Sequence, residues 1–191
     1  MGGPSVGSRS PWGRVQTVDE VIPGDMWAVS TAGHGGVKVS RRLQEKIPAR
    51  FRLSGGWYEE DVDWAIPFFI FRQVIRKEEA HEAANTLKRN LPEVYRELTG
   101  QEVSAKDSPV IAKRQFYAKH RNDWITNAAW GDWHQKVPKG MVGVVATKGG
   151  KPGPERWFLV PEDRYKYTYP PGFVGGYVID LASDVEIPPL Q

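Results

Sequence analysis

Residues 26–40 read MWAVSTAGHGGVKVS, and this stretch decides the fold class. Met26, Ala28 and Ser30 alternate with their neighbours at the period of two that is typical of a half-buried strand. A glycine-rich loop follows at residues 33–36, and residues 37–40 indicate another short strand. The stretch therefore predicts two strands joined by a loop that carries His34.

The pattern continues on both sides of this stretch. Upstream, residues 15–22 alternate in the same way, and Pro23, Gly24 and Asp25 supply a turn. Ser40 is placed to cap a short helix over residues 41–46, which Pro48 ends. Helical spacing and helix-terminal residues then predict about four helices in the central region, at residues 60–71, 77–90, 92–98 and 107–121. Strand patterns return at residues 124–129, 141–147, 157–160 and 176–179.

Strands at both ends with helices between them predict an α+β fold. We expect a single domain over residues 12–185, with one antiparallel or mixed β-sheet built from N- and C-terminal strands and about four helices packed on one face. Residues 1–11 are small, polar and rich in Gly and Pro, which favours a disordered leader. Residues 186–191 are expected to form a tail.

The composition excludes several classes of site and protein. Cysteine is absent, which excludes disulfides, thiolate zinc sites and cysteine nucleophiles and favours a reducing compartment. No run approaches the roughly 20 apolar residues of a membrane span, so we expect a cytoplasmic protein without a membrane partner. With 26 basic and 23 acidic residues the charge is nearly balanced, which excludes a DNA mimic and only weakly favours nucleic acid as a partner.

The first candidate site is the loop that holds His34. Glycines let backbone N–H groups turn toward a ligand, and imidazole suits proton transfer near neutral pH. The loop matches neither the phosphate loop nor the dinucleotide fingerprint, so a tight turn with a structural hydrogen bond to His34 is the competing interpretation. Its ligand-binding residues would be Ser30, Thr31, Gly35 and Gly36.

The second candidate is an acidic block bracketed by aromatic residues. Neighbouring carboxylates repel one another unless a helix N-terminus, a cation or water offsets the charge. Three interpretations follow: the block begins a helix, it binds a divalent cation through oxygen ligands, or Glu60 or Asp61 acts as a general base with His34. The candidate metal ligands are Glu59, Asp61 and Asp63, and the flanking ligand-binding candidates are Trp57, Tyr58 and Trp64. The sequence requires no cofactor.

A third candidate is a basic group on the helix predicted at residues 107–121. Its members are Lys113, Arg114, Tyr117 and Arg121. Nucleic-acid recognition uses such cations for phosphate and such aromatic rings for stacking, whereas an ordinary solvated helix face carries the same residue types.

Several blocks in one order resemble a known domain. STAGHGG at residues 30–36 and GGWYEEDVDWAI at residues 55–66, followed by WGDW at residues 130–133 and GMVGVVATKGG at residues 140–150, are similar to an uncharacterised domain of bacteriophage and plasmid proteins. The similarity covers about residues 12–180. It implies an accessory protein of a mobile element that works in the cytoplasm of a bacterial host.

Two functional hypotheses remain, beside a purely structural scaffold. In the first, the protein binds a host protein or nucleic acid, in a role such as countering host defence. In the second, it is a hydrolase-type enzyme in which His34 and Glu60 or Asp61 act on a nucleotide-like substrate. Both depend on whether His34 and the acidic block meet in space. The sequence does not indicate the oligomeric state.

Overall fold

The computed structural model describes residues 2–167 and 176–189, and of residues 166 and 167 only the backbone. Contacts within the chain divide it into two compact units, residues 1–103 and residues 104–191. The sequence predicted one domain over residues 12–185, of which residues 168–175 lie outside the described part. The predicted domain therefore corresponds to parts of both units.

The mixed α and β composition is confirmed, but the sheet arrangement differs from the prediction. The described residues form six helices and three antiparallel sheets, one of two strands and two of four. Within residues 2–167 and 176–189, strands from the two ends of the chain do not share a sheet, because strands that follow one another in sequence pair with each other. The alternating pattern identified strands and could not identify their partners.

The first unit contains a two-stranded sheet, a four-stranded sheet and four helices. Its strands are β1 (Arg9–Ser10), β2 (Gly13–Arg14), β3 (Thr17–Ile22), β4 (Met26–Ser30), β5 (Gly35–Val39) and β6 (Trp57–Glu59). Its helices are α1 (Arg41–Gln44), α2 (Ala65–Ile70), α3 (Lys77–Asn90) and α4 (Pro92–Thr99). The larger sheet has the order β3-β4-β5-β6, so β5 lies between the strand before the His34 loop and the strand that leads into the acidic block.

The segment predicted as a disordered leader is ordered in the structure from residue 2. Strand β1 pairs with β2, and the Gly7 N–H donates to the Val15 carbonyl oxygen at 2.8 Å while the Val15 N–H donates to the Ser8 carbonyl oxygen at 3.0 Å. A Cβ added at Gly3 would lie 2.4 Å from the Trp27 ring. The small residues of this segment thus allow close packing on the sheet, where the sequence suggested disorder.

Burial of apolar side chains holds the helices of the first unit to the larger sheet. Met26 and Val39 from the sheet are fully buried, as are Ala83 and Leu87, which lie four residues apart on α3. Helix α3 has the predicted bounds because its apolar residues recur at helical spacing. Helix α2 begins at Ala65, five residues later than predicted, since residues 60–64 form turns.

The second unit is built on the other four-stranded sheet. Its elements are α5 (Pro109–Lys119), β7 (Trp124–Trp130), β8 (Met141–Lys148), β9 (Glu155–Pro161), α6 (Glu162–Tyr167) and β10 (Val185–Ile187), with the strand order β10-β9-β8-β7. Val144, Phe158 and Val160 are fully buried in its core. The strand predicted at residues 176–179 makes a single bridge, from Val178 to Ile125.

The predicted tail at residues 186–191 begins inside strand β10. Glu186 pairs with Phe158 and Ile187 with Trp157, so these two residues belong to the sheet, while residues 190 and 191 lie outside the described part. Across the described residues, none of the helices has both the length and the apolar composition needed to cross a bilayer.

A buried carboxylate ties α1 to the start of β4. Asp25 is 2% exposed, accepts a hydrogen bond from Ser40 Oγ at 2.5 Å and forms an ion pair with Arg42. We expect Asp25→Ala to lower the free energy of unfolding by about 2–4 kcal/mol, because hydrogen bonds to a buried charge are lost. Urea denaturation measures this, with the exposed Asp19→Ala as control. A loss no larger than that of the control would contradict the prediction.

The Arg156–Glu186 pair should make the second unit sensitive to acid. Hydrogen bonds from Arg156 lower the pKa of Glu186 below its ordinary value. A lowered pKa contributes stability that is present above the unfolded-state pKa and is lost as the pH falls through the folded-state pKa. Unfolding experiments between pH 6 and pH 3 should therefore show a smaller loss of stability on acidification for Glu186→Gln than for the original chain. The control is Glu155→Gln on the same sheet, and equal acid sensitivity of the original chain and Glu186→Gln would refute the prediction.

Candidate functional site

The loop between β4 and β5 is a closed turn that orients His34. The Thr31 N–H and the Thr31 hydroxyl both donate to the His34 carbonyl oxygen at 2.7 Å, and the His34 N–H donates to Thr31 Oγ1 at 3.2 Å. Ser30 Oγ instead lies 2.6 Å from Thr17 Oγ1. Both predicted hydroxyl ligands, Ser30 and Thr31, therefore make hydrogen bonds that hold the local structure.

His34 meets two consecutive carboxylates. Its Nδ1 lies 2.9 Å from Glu60 Oε1 and 3.2 Å from Glu59 Oε1. The pairing of β5 with β6 produces this contact, because it sets Glu59 opposite Gly36 near the end of the sheet that carries the loop. The structure thus brings together two of the predicted candidates, His34 and Glu60, and the candidate metal ligand Glu59.

One buried oxygen of the two carboxylates is left without a hydrogen bond. Nδ1 carries at most one proton, and the contact with hydrogen-bond geometry is the one to Glu60. Glu59 Oε1 is buried and makes no hydrogen bond within the described residues, although Nδ1 is 3.2 Å away. Its other oxygen, Oε2, accepts from the Asp61 N–H at 2.8 Å. A buried carboxylate oxygen in this state is unfavourable, so it marks a position where a cation would be stabilised.

Two consecutive glycines leave room on both faces of β5. Successive residues of a strand point to opposite faces. A Cβ at Gly35 would lie 2.2 Å from Glu60 Oε2, and a Cβ at Gly36 would lie 2.2 Å from the Trp12 ring. Gly35 and Gly36 therefore admit a carboxylate on one face and an indole on the other.

Trp12 borders the site and was not predicted as part of it. Its ring centroid lies 6.4 Å from that of His34 and 5.7 Å from that of Trp57, against which it packs edge-on. In the sequence, Trp12 is only a large aromatic residue just after a polar segment. That pattern does not predict that residues 2–15 fold back onto the sheet.

A cavity of about 230 Å³ opens beside Glu60. Trp64 and Phe68 line it with the glutamate, and Trp64 packs edge-on against Phe68 with ring centroids 5.1 Å apart. A second cavity of about 570 Å³ shares Ala28 and Phe68 with the first and has Asp19, Glu20 and Glu79 among its lining residues. Trp64, a predicted ligand-binding residue, therefore lies in the wall of a cavity beside Glu60.

Other residues of the acidic and aromatic block lie outside the cluster. Tyr58 is fully buried and donates to Gln44 Oε1 at 3.1 Å, and burial raises its pKa. Asp61 is exposed, and neither Asp61 nor Asp63 belongs to the group formed by His34, Glu59 and Glu60. Partial burial, and then the charge of Glu59, raise the pKa of Asp63.

The helix-capping interpretation of the acidic block is wrong for the two glutamates. The N-cap of α2 is Trp64, which makes no side-chain capping hydrogen bond, and Glu59 and Glu60 contact His34. The carboxylates lie too far upstream of Ala65 for the first turn of the helix to stabilise them.

The predicted basic group lies in the second unit. Lys113, Arg114 and Arg121 are exposed, but Arg121 follows the end of α5 at Lys119. Tyr117 packs on the turn after β8, where a Cβ at Gly150 would lie 2.5 Å from its ring. This packing uses part of the ring that the prediction assigned to stacking on bases.

Comparisons with known proteins give one result. A family model described as a domain of unknown function, DUF7007, matches residues 5–121. The match includes His34, Glu59 and Glu60 and ends before β7, so the two later blocks of the predicted resemblance lie outside it. Neither the curated proteins nor the solved structures contain a match to the chain.

The close packing around Gly35 predicts that a larger residue there will destabilise the protein. A Cβ there would lie 2.9 Å from the Val29 carbonyl oxygen and would push the Glu60 carboxylate away from His34. We expect Gly35→Ala to lower the free energy of unfolding by about 1–3 kcal/mol and to shift the His34 ring signals in NMR spectra. Gly33→Ala is the matched control, because nothing lies within 4 Å of a Cβ at that position. Equal effects of the two substitutions would show that the close approach is unimportant.

Proposed function

The chain belongs to the DUF7007 family of domains of unknown function, and we propose that it binds a divalent cation through His34, Glu59 and Glu60 and uses that cation in a hydrolytic reaction. One observation carries the proposal. A single imidazole nitrogen lies within hydrogen-bonding distance of two glutamates, one of which has a buried oxygen without a hydrogen bond.

The spacing of the three side chains supports a metal site. Metal–ligand bonds of about 2.1 Å place neighbouring ligand atoms about 3.0 Å apart in octahedral geometry and about 3.4 Å apart in tetrahedral geometry. The two distances from His34 Nδ1, 2.9 and 3.2 Å, fall in or near that range. A cation would replace the Nδ1 proton and contact all three groups at once.

The donor set indicates which cations to expect. One imidazole and two carboxylates suit Zn²⁺, Mn²⁺ and Fe²⁺ better than Ca²⁺ or Mg²⁺, which prefer oxygen ligands. Three protein ligands also leave coordination positions for water, as in catalytic sites. When bound, Zn²⁺ would supply a water whose pKa is lowered toward neutral pH, and that water could serve as the nucleophile of a hydrolytic reaction.

The adjoining cavity gives the reaction a place for a substrate. Glu60 belongs both to the cluster and to the wall of the 230 Å³ cavity, so a ligand held against Trp64 would lie beside the cation. The nucleotide-like substrate expected from the sequence is part of this proposal. The acidic side chains around the second cavity would repel a phosphate, and the cation would offset that repulsion.

The accessory role in a mobile element stays a prediction. It rests on the resemblance of residues 30–36 and 55–66 to phage and plasmid proteins, and a metal-dependent reaction in a bacterial host cytoplasm is compatible with it. Macromolecule binding takes second place as a function because the cluster of His34, Glu59 and Glu60 offers a specific chemical role.

Metal binding is the direct test. Isothermal titration of metal-free protein with Zn²⁺ and Mn²⁺ should give one bound ion per chain. Glu59→Gln and Glu60→Gln should each weaken binding about tenfold or more, because a charged ligand is replaced by a neutral amide. Asp61→Asn, which neutralises an exposed carboxylate next to the cluster, is the control and should bind within about twofold of the original chain. Absence of saturable binding, or equal weakening by the control, would refute the proposal.

Measurements of the melting temperature distinguish a metal site from a purely structural contact. In metal-free protein, Glu59→Gln should unfold at the same temperature as the original chain or a higher one, because it removes the charge of a carboxylate that has one buried oxygen without a hydrogen bond. Saturating Zn²⁺ or Mn²⁺ should then raise the melting temperature of the original chain more than that of the variant. A purely structural cluster would give the opposite result, with Glu59→Gln less stable at every metal concentration.

A further inference from the structure

We propose that Lys38, Arg41 and Arg52 form a binding pocket for a phosphate group, separate from the metal site. The three cations line a cavity of about 330 Å³ in the first unit, together with Gly55 and Gly56. Among the residues that line this cavity, all of them in the described part of the chain, none is acidic. The cavity therefore has an excess of positive charge.

Lys38 is the central cation of the pocket. Its ammonium group donates to the Gly55 carbonyl oxygen and lies 5.2 Å from the centroid of the Trp57 ring. Partial burial lowers the pKa of Lys38, which means that its charge has lost part of its hydration. A carbonyl oxygen replaces only part of that hydration, so a bound anion would stabilise the ammonium group.

Arg52 presents a fixed guanidinium group. Its Nε donates to the Ile47 carbonyl oxygen at 2.7 Å and its Nη2 to the Glu45 carbonyl oxygen at 2.8 Å. These bonds hold the guanidinium in place and use two of its five N–H donors, counted over the described residues. A positioned guanidinium binds phosphate oxygens with little loss of conformational entropy.

Arg41 completes the pocket from the solvent side. Its side chain is 94% exposed, and its contact with Glu45 is 3.5 Å long. An exposed ion pair of this kind contributes little free energy. A phosphate group that already contacts Lys38 and Arg52 can therefore displace Glu45 from Arg41.

The charge of the pocket favours phosphate over a carboxylate. A phosphate monoester carries about −1.5 to −2 charges at neutral pH and three strong acceptor oxygens, which matches three cations better than a single negative charge does. The volume also accommodates a group attached to the phosphate. Trp57 lies opposite Lys38 in the β5–β6 pairing, so its ring is next to the pocket.

Titration with inorganic pyrophosphate in the presence of EDTA tests the pocket without the metal site. The original chain should bind pyrophosphate saturably, and Lys38→Gln and Arg41→Gln should each weaken binding about tenfold, because each removes one charge-assisted contact. Arg41→Gln also guards against misfolding, since the Arg41 side chain is almost fully exposed. Lys46→Gln removes an exposed cation that does not line the cavity and should change binding less than twofold.

A fourth variant separates this proposal from the metal site. Glu60→Gln should bind pyrophosphate as tightly as the original chain, because Glu60 does not line the pocket. Equal weakening by Lys46→Gln and Lys38→Gln would mean general attraction to a basic surface and would overturn the proposal. Absence of saturable binding to the original chain would overturn it as well.

The source of the phosphate group is identified by two further titrations. Adenosine monophosphate and an eight-residue oligothymidine are each titrated into the original chain and into Lys38→Gln. If the mononucleotide binds more tightly than pyrophosphate and Lys38→Gln removes this gain, the ligand is a free nucleotide. The same result for the oligonucleotide indicates single-stranded nucleic acid. If neither Lys38 nor Arg41 affects the binding of any of these ligands, the pocket does not bind phosphate.

Discussion

The antiparallel pairing of β4, β5 and β6 is the constraint on which the rest of this structure depends. It sets Ser30 opposite Gly35 and Gly36 opposite Glu59. The turn that carries His34 and the end of β6 therefore meet at the same end of the strands. A shift of the register by one residue would move each side chain of the displaced strand to the other face of the sheet. Residues 25 positions apart in sequence would then no longer meet.

The cluster that results is electrostatically incomplete. Two adjacent glutamates share one imidazole nitrogen, which holds at most one proton, and the described part of the chain supplies only the Asp61 backbone N–H as a further donor to Glu59. Structural contacts in folded proteins usually satisfy their buried polar groups. An arrangement that leaves one group unsatisfied is typical of sites where function takes precedence over stability. The basic pocket at Lys38 has the complementary property, a partly buried cation whose hydrogen-bond partner is a neutral carbonyl oxygen.

The sequence predicted those helices and strands that depend mainly on residues close together in the chain. Helix α3 and the two strands beside the His34 loop were predicted because their periodic patterns are strong, although β5 begins at Gly35, two residues before the predicted strand. The division into three sheets was missed, since period-two alternation carries no information about which strands pair. Strand β6 was not predicted, because two tandem glycines before it and four carboxylates at residues 59–63 favour a turn and the start of a helix over a strand. Within the site, His34 and Glu60 stood out by residue type, whereas Trp12 and Lys38 acquire their roles only through tertiary contacts.

The fold-back of residues 2–15 has a practical consequence for anyone who defines a fragment of this chain. Composition alone suggests trimming the first eleven residues, yet Gly3 rests against Trp27, and Val15, which bonds back to Gly7 and Ser8, is 2% exposed. A fragment that starts at Trp12 would leave the indole of Trp27 partly uncovered and would cut the small hairpin between its two strands. Such a fragment would expose aromatic surface to water and favour self-association, and its loss of solubility would easily be mistaken for a property of the whole domain.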